Sequence, residues 1–218
     1  MSRVIGGLSE PWSINTIVGL TAVSNLIFST DLSKLSVNFS GPGSEALAAA
    51  LSLPCAPLEE SDVAIFSVSA LDGFTADVTT NWHAAREIYL PSIVAIVDLE
   101  KSEIDFEDMS AIVSKTLDPV VTPYLVLHSD DGFPTAVISL ESQLITDYTL
   151  GLRQTIDSDP EHKELVAEFR EEYLEQMESA GDDPFSNALI FPAIPLALHI
   201  KLGLTEIVQW LGKIPTRG

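Results

Sequence analysis

Basic residues are scarce in this chain. Eleven lysines and arginines stand against 32 aspartates and glutamates, a net charge of −21. Nucleic-acid affinity comes largely from cations that neutralise phosphates, so this balance argues against direct RNA or DNA binding. It argues equally against an anionic membrane surface. Cysteine is nearly absent: Cys55 stands alone, which excludes a disulfide framework and a cysteine-built metal site. The four histidines, His83, His128, His162 and His199, are far apart and show no ligand spacing. No apolar run is long enough to span a bilayer, since the longest, residues 188–200, is short and holds Pro192 and Pro195. The first residues, Met1-Ser-Arg-Val, lead into a Gly-rich, acid-containing stretch rather than a secretory leader. The expectation is a cytoplasmic protein whose partner, as yet unknown, is another protein.

Apolar residues are plentiful. They form 46% of 218 residues, enough to build a core and to set disorder aside. Residues 61–102 organise the rest. Val63-Ala-Ile-Phe-Ser-Val-Ser69 and Ile93-Val-Ala-Ile-Val97 are β-branched runs, apolar on both faces. Between them Val78, Trp82, Ala85 and Ile88 recur at helical spacing, and Pro91 closes that helix. Two such strands joined by a helix make a βαβ unit in a covered parallel sheet.

Either side of this unit the signals are shorter. Val4-Ile5, Leu26-Ile-Phe28 and residues 35–39 read as strands, and Ile14, Ile17, Val18 and Thr21 as a helix. Ser40-Gly-Pro-Gly43 is a loop before the helix-prone Ser44-Glu-Ala-Leu-Ala-Ala-Ala-Leu51. Phe106, Met109, Ile112, Val113 and Leu117 trace another helix. Residues 121–128 and 136–140 are expected to be strands joined by the turn Ser129-Asp-Asp-Gly132. A long acidic helix is expected over residues 159–177, capped by Asp159 or Ser158 and buried through Leu165, Val166, Phe169, Tyr173 and Met177. Residues 188–191 are expected to be a last strand, and residues 205–211 a last helix.

In this order the chain resembles the GTP-binding domain of translational GTPases, elongation factor G in particular. Asp62-Val-Ala-Ile-Phe-Ser-Val-Ser-Ala70, Asp72-Gly73, Thr80, Trp82 and Ala85-Arg-Glu87 resemble that family's strand and helix after the second switch. Pro91-Ser-Ile-Val-Ala-Ile-Val97 is similar to the strand that delivers guanine recognition. Val120, Val121, Gly132-Phe133, Ala136-Val-Ile138 and Tyr148 are similar to the insert that sets elongation factor G apart. The resemblance implies an α/β, P-loop NTPase-like three-layer fold with a mostly parallel sheet and a small α+β insert. Residues 1–118 and 186–218 would form the core, and residues 119–185 the insert.

The nucleotide motifs are eroded. A phosphate loop needs G-x-x-x-x-G-K-[ST] so that backbone N–H groups and a lysine surround the phosphates. Of the aligned residues 6–13 only Gly6 and Ser13 fit, while Pro11 lacks an N–H and Trp12 replaces the cation. The family's Asp-x-x-Gly aligns with Ser40-Gly-Pro-Gly43, keeping Gly43 but losing the magnesium-side carboxylate. Asn-Lys-x-Asp aligns with Val97-Asp98-Leu99-Glu100. Glu100 keeps an acceptor for the guanine edge, one methylene too long, and Asp98 puts a negative charge where a cation belongs. The last family motif falls near Leu196-Ala197, with its hydroxyl lost.

A charge-assisted hydrogen bond is worth about 1.5–3 kcal/mol, and about 1.4 kcal/mol is tenfold in affinity. Losing about four or five such bonds takes a tight site to roughly millimolar or worse. The expectation is a noncatalytic pseudo-GTPase with no cofactor, kept as a protein-binding module in a translation-related setting. The alternative is a weak guanine-nucleotide switch, with GTP or GDP and magnesium held through the vestigial Gly6, Ser13, Gly43 and Glu100. Other chemistries read as structure: Ser129-Asp-Asp-Gly132 as a turn, and Asp157, Asp159 and Glu161 as a helix start rather than a calcium loop.

Overall fold

The parallel sheet forms around strands rich in β-branched and other apolar residues that are buried on both faces. In the computed structural model, which describes residues 32–149 and 153–215, it runs β1 (Val37–Ser40), β2 (Val63–Ser69), β3 (Ser92–Val97) and β8 (Ala193–Pro195) in that spatial order. All three pairings are parallel, with Ile65 opposite Ile93 and Val94 opposite Ala193. Val63, Ile65, Ile93 and Ala95 face one way, against α1 (Ser44–Leu51) and the C-terminal α6 (Leu204–Leu211). Ala64, Phe66, Val68, Val94 and Ile96 face the other, against α2 (Ala76–Glu87) and α3 (Phe106–Thr116).

A second, antiparallel sheet follows α3 in the order β4 (Tyr124–His128), β5 (Pro134–Ser139), β6 (Leu144–Asp147) and β7 (Gln154–Asp157). Residues 129–132 turn β4 into β5 as expected, the Gly132 N–H donating to Ser129 O at 2.8 Å. Leu125, Ile138, Leu140 and Ile145 on one face pack against Val166 and Tyr173. On the other face Tyr124, Val137 and Tyr148 join the core beneath α6. The fold is thus α/β, with a parallel sheet, four-stranded among the described residues, and an antiparallel one.

Three expectations need correction. The acidic helix is two helices, α4 (Pro160–Leu165) and α5 (Ala167–Ala180), meeting at Val166. The break turns Val166 into the antiparallel sheet and leaves Leu165 and Phe169 exposed, so the buried stripe narrows to Val166 and Tyr173 with Met177 partly covered. Ile88 is also exposed. Tyr89 takes a left-handed conformation, the Leu90 N–H reaches back to Ala85 O, and Leu90 fills the space instead. Residues 188–191 form no strand: Leu189 and Ile190 donate to Pro184 O, and the strand starts two residues later at Ala193. Pro195 is tolerated there because the next N–H, that of Leu196, makes the bond to Ile96 O. β6 and β7 were not anticipated; β7 is exposed throughout and carries little apolar signal.

Candidate functional site

Ligands of parallel α/β sheets bind beyond the carboxyl ends of the strands. Here that edge is made by residues 40–43 after β1, 69–73 after β2, 97–101 after β3 and 196–203 after β8. The stretches after β1, β2 and β3 are tied down by side-chain hydrogen bonds.

After β1, Ser40 is buried. Its hydroxyl donates to Asn38 Oδ1 at 3.0 Å and accepts from Asn81 Nδ2 at 3.0 Å, and Asn38 Nδ2 in turn donates to Ala56 O. The side chain that aligns with a magnesium-side carboxylate is therefore spent on its own strand and on α2. Gly41 must be glycine: its φ is +99°, and a Cβ would stand 2.1 Å from Ser67 O. Gly43 (φ +73°) begins α1 in a left-handed conformation, and its carbonyl accepts from Leu47 N–H at 3.0 Å.

After β2 and β3 the chain closes on itself. Asp98 sits in a left-handed conformation. Ser69 Oγ donates to its Oδ2 at 2.8 Å, and Lys101 Nζ lies 2.5 Å from its Oδ1. The Lys101 ammonium holds the Asp98 carboxyl below its usual range, helped by Ser69 and opposed by partial burial. Ser69 Oγ also accepts the N–H groups of Leu71 and Asp72, which fixes the turn after β2. Ser102 Oγ donates to Ala70 O, a second tie between the two strand ends. Glu100 is half-buried. Its Oε1 is 3.8 Å from Lys101 Nζ, while its Oε2 is buried with no hydrogen-bond partner among the described residues.

Gly43 and Glu100 therefore share one edge but follow strands that are not neighbours, and it is Ser69, Asp98 and Lys101 that meet. Gly6 and Ser13 lie outside the described residues, as do Pro11, Trp12 and the elements expected before residue 32. Ser69 and Lys101 were missed in the sequence. The signal available was a serine ending a buried strand and a lysine three residues after an aspartate. As a donor set the described residues fit a magnesium–nucleotide poorly: Ser40 offers no carboxylate, and Asp98 is negative and already paired. Among the described residues no group of three or more His, Cys, Asp and Glu side chains is placed to hold a metal, and no helix is long and apolar enough to cross a membrane.

No protein-family profile matches the chain. Among curated proteins, one from Mycobacterium tuberculosis, recorded for the CDC 1551/Oshkosh and ATCC 25618/H37Rv strains, is 25% identical over 187 residues, covering 75% of this chain. That relative is an elongation factor G-like protein. The chain is similar to elongation factor G-like proteins. It spans about a quarter of the length of these curated relatives, 25% of each. A crystal structure of a protein from Thermus thermophilus superposes with a TM-score of 0.62 at 21% identity, over 81% of this chain and 29% of that one. At that identity the superposition speaks for the fold. The likeness to elongation factor G-like proteins agrees with the resemblance read from residues 61–148.

Proposed function

We propose that this chain is a noncatalytic relative of the elongation factor G GTP-binding domain, a pseudo-GTPase kept as a protein-binding module in a translation-related setting. In this reading its helix-covered parallel sheet is the P-loop NTPase-like three-layer core (residues 1–118 and 186–218). The antiparallel sheet with α4 and α5 is the insert (residues 119–185). One observation carries the reading. Asp98 stands where base recognition needs a cation, and it is tied to Ser69 and Lys101, so the corner that would read guanine holds an internal ion pair. Without magnesium ligands and a phosphate lysine, nothing stabilises charge on a transferring phosphoryl group.

A titration with fluorescent GDP and GTP, with and without magnesium, tests this. The expected outcome is no saturation below roughly millimolar nucleotide. Micromolar, magnesium-dependent binding would refute it. The partner is sought by pull-down at low and moderate salt, because nonspecific cationic proteins attracted by a net charge of −21 are lost as salt screens them. A partner retained at moderate salt supports the module reading, and recovery of basic proteins at low salt alone counts against it.

A second reading is favoured by the buried, unpartnered Oε2 of Glu100, an acceptor without a donor. A weak guanine switch would supply that donor from the base edge. It predicts that millimolar GDP raises the melting temperature and that Glu100→Ala abolishes the rise. No rise in the parent protein ends it.

A further inference from the structure

Helix α2 ends on a residue that does not suit its place. The Leu90 N–H donates to Ala85 O at 2.9 Å and the Tyr89 N–H to Arg86 O at 3.2 Å. This is the paired closure in which the residue after the C-cap, Ile88, turns left-handed. Glycine fills that position without steric cost, whereas a Cβ there crowds the following carbonyl. Here the residue is Tyr89, with φ +53°. Of the described residues other than glycine with positive φ, it is the only aromatic one. Its side chain adds little to the fold. At 79% exposure it is the most exposed large apolar side chain among the described residues, and Ile88 beside it is 49% exposed. A strained backbone that holds an aromatic ring out in solvent points to a contact outside the chain.

Ile88 and Tyr89 border a groove of about 490 Å³ at the amino ends of β2 and β3, the end of the sheet opposite to the nucleotide-aligned residues. Pro91 and Pro215 extend its apolar lining, and Glu59 and Asp62 make it acidic. No lysine or arginine lines it among the described residues. Asp62 Oδ2 accepts the Ser36 N–H at 3.0 Å, while Glu59 is exposed. A second copy of this chain suits the groove badly. A two-fold contact would set these acids against their own copies, between chains that each carry a charge of −21.

We propose that Ile88, Tyr89 and this groove dock a short cationic segment of a partner protein. An apolar side chain of the segment packs on Tyr89 and Ile88, and a lysine or arginine beside it meets Glu59, with Asp62 adding to the negative field. Tyrosine suits such an anchor because it offers a large amphipathic surface with few rotors to immobilise. The proposal rests on the protein-binding half of the reading above and names the surface that carries it.

The test is a fluorescence-anisotropy titration of the whole chain, at moderate salt, with labelled peptides that alternate leucine or proline with lysine or arginine. Counterparts with glutamate in place of every cation are the controls. The expected result is saturable binding of at least one cationic peptide and of none of the acidic ones. Tyr89→Gly keeps the net charge and should weaken that binding about tenfold or more, while the melting temperature stays level or rises. Glu59→Gln should weaken it about 2–5-fold, and Glu171→Gln, which removes the same charge from an exposed position on α5, should not. Parent-like binding by Tyr89→Gly would mean that charge alone attracts the peptides, and would overturn the proposal. So would failure of every cationic peptide to saturate, a fall in the Tyr89→Gly melting temperature, or a dimer in sedimentation that Tyr89→Gly dissociates. The pull-down keeps the two readings apart. A partner retained by both the parent and Tyr89→Gly overturns this surface alone, whereas no partner retained by either removes the module reading with it.

Discussion

Glu206 shows how burial acts on a single carboxyl. It is 2% exposed at the third position of α6, and both of its oxygens lie within hydrogen-bond range of the Tyr148 hydroxyl, at 2.9 and 2.8 Å. A phenol has one proton to give. Shared between the two oxygens, that proton ties the Tyr148 hydroxyl to Glu206. Burial raises the Glu206 pKa, opposed by the Tyr148 hydrogen bond, by its own and Gly203's backbone N–H groups, and by Arg153. A raised folded-state pKa means the folded chain binds this proton more tightly than the unfolded chain does. The contribution is complete below the unfolded carboxylate value of about 4.3 and is lost as pH rises through the folded value. Glu206→Gln keeps an acceptor for the Tyr148 hydroxyl and cannot ionise, so urea unfolding should show it gaining on the parent between pH 4 and pH 8. Glu206→Ala leaves the Tyr148 hydroxyl unpaired and should cost about 1–3 kcal/mol. A parent-like pH dependence in the glutamine variant would place the lost proton elsewhere.

Elements differ in how much a single residue can reach. Asp105 and Asp159 make the same cap, each accepting the N–H three residues on, at 2.8 Å. Asp105 starts α3, which buries Phe106, Met109 and Val113. Asp159 starts α4, which buries nothing. Asp105→Ala should therefore lower global stability by about 0.5–2 kcal/mol. Asp159→Ala should show itself as faster amide exchange within α4, with little change in the unfolding midpoint. Equal global losses would mean that α4 and the core unfold as one unit. The same contrast explains what was legible in the sequence. β2, β3, α2 and α3 could be read because their burial is periodic and nearly complete, and the turn at residues 129–132 because its residue types demand it. The helix break at Val166 could not, because it is set by the sheet that Val166 enters rather than by any breaker residue. Ile88 and Leu90 were exchanged because Tyr89 takes a left-handed conformation usually left to glycine. At the candidate site, Asp98 could be singled out from the sequence. Its closure by Ser69 was hidden, because those residues stand 29 apart and meet only when β2 and β3 pair.

At the scale of the molecule the net charge of −21 dominates. So many like charges repel one another in the folded state more than in the expanded one, and salt relieves that repulsion. Raising the ionic strength should therefore stabilise the chain, by about 1 kcal/mol, or about 2–4 °C in melting temperature for this size. The choice of salt separates screening from a site. Sodium and magnesium chlorides compared at equal ionic strength should give nearly the same rise if no dedicated divalent site exists, as the proposed function requires. A magnesium-bearing switch would instead add a rise that saturates as the ion fills its site, following the logarithm of free ion over Kd, and that grows further with GDP. Differential scanning calorimetry across both salts, with and without GDP, reads these outcomes together. An excess rise with magnesium that deepens with nucleotide would mean that the edge formed by Ser40, Ser69, Asp98 and Glu100 still serves a nucleotide, against the reading proposed here.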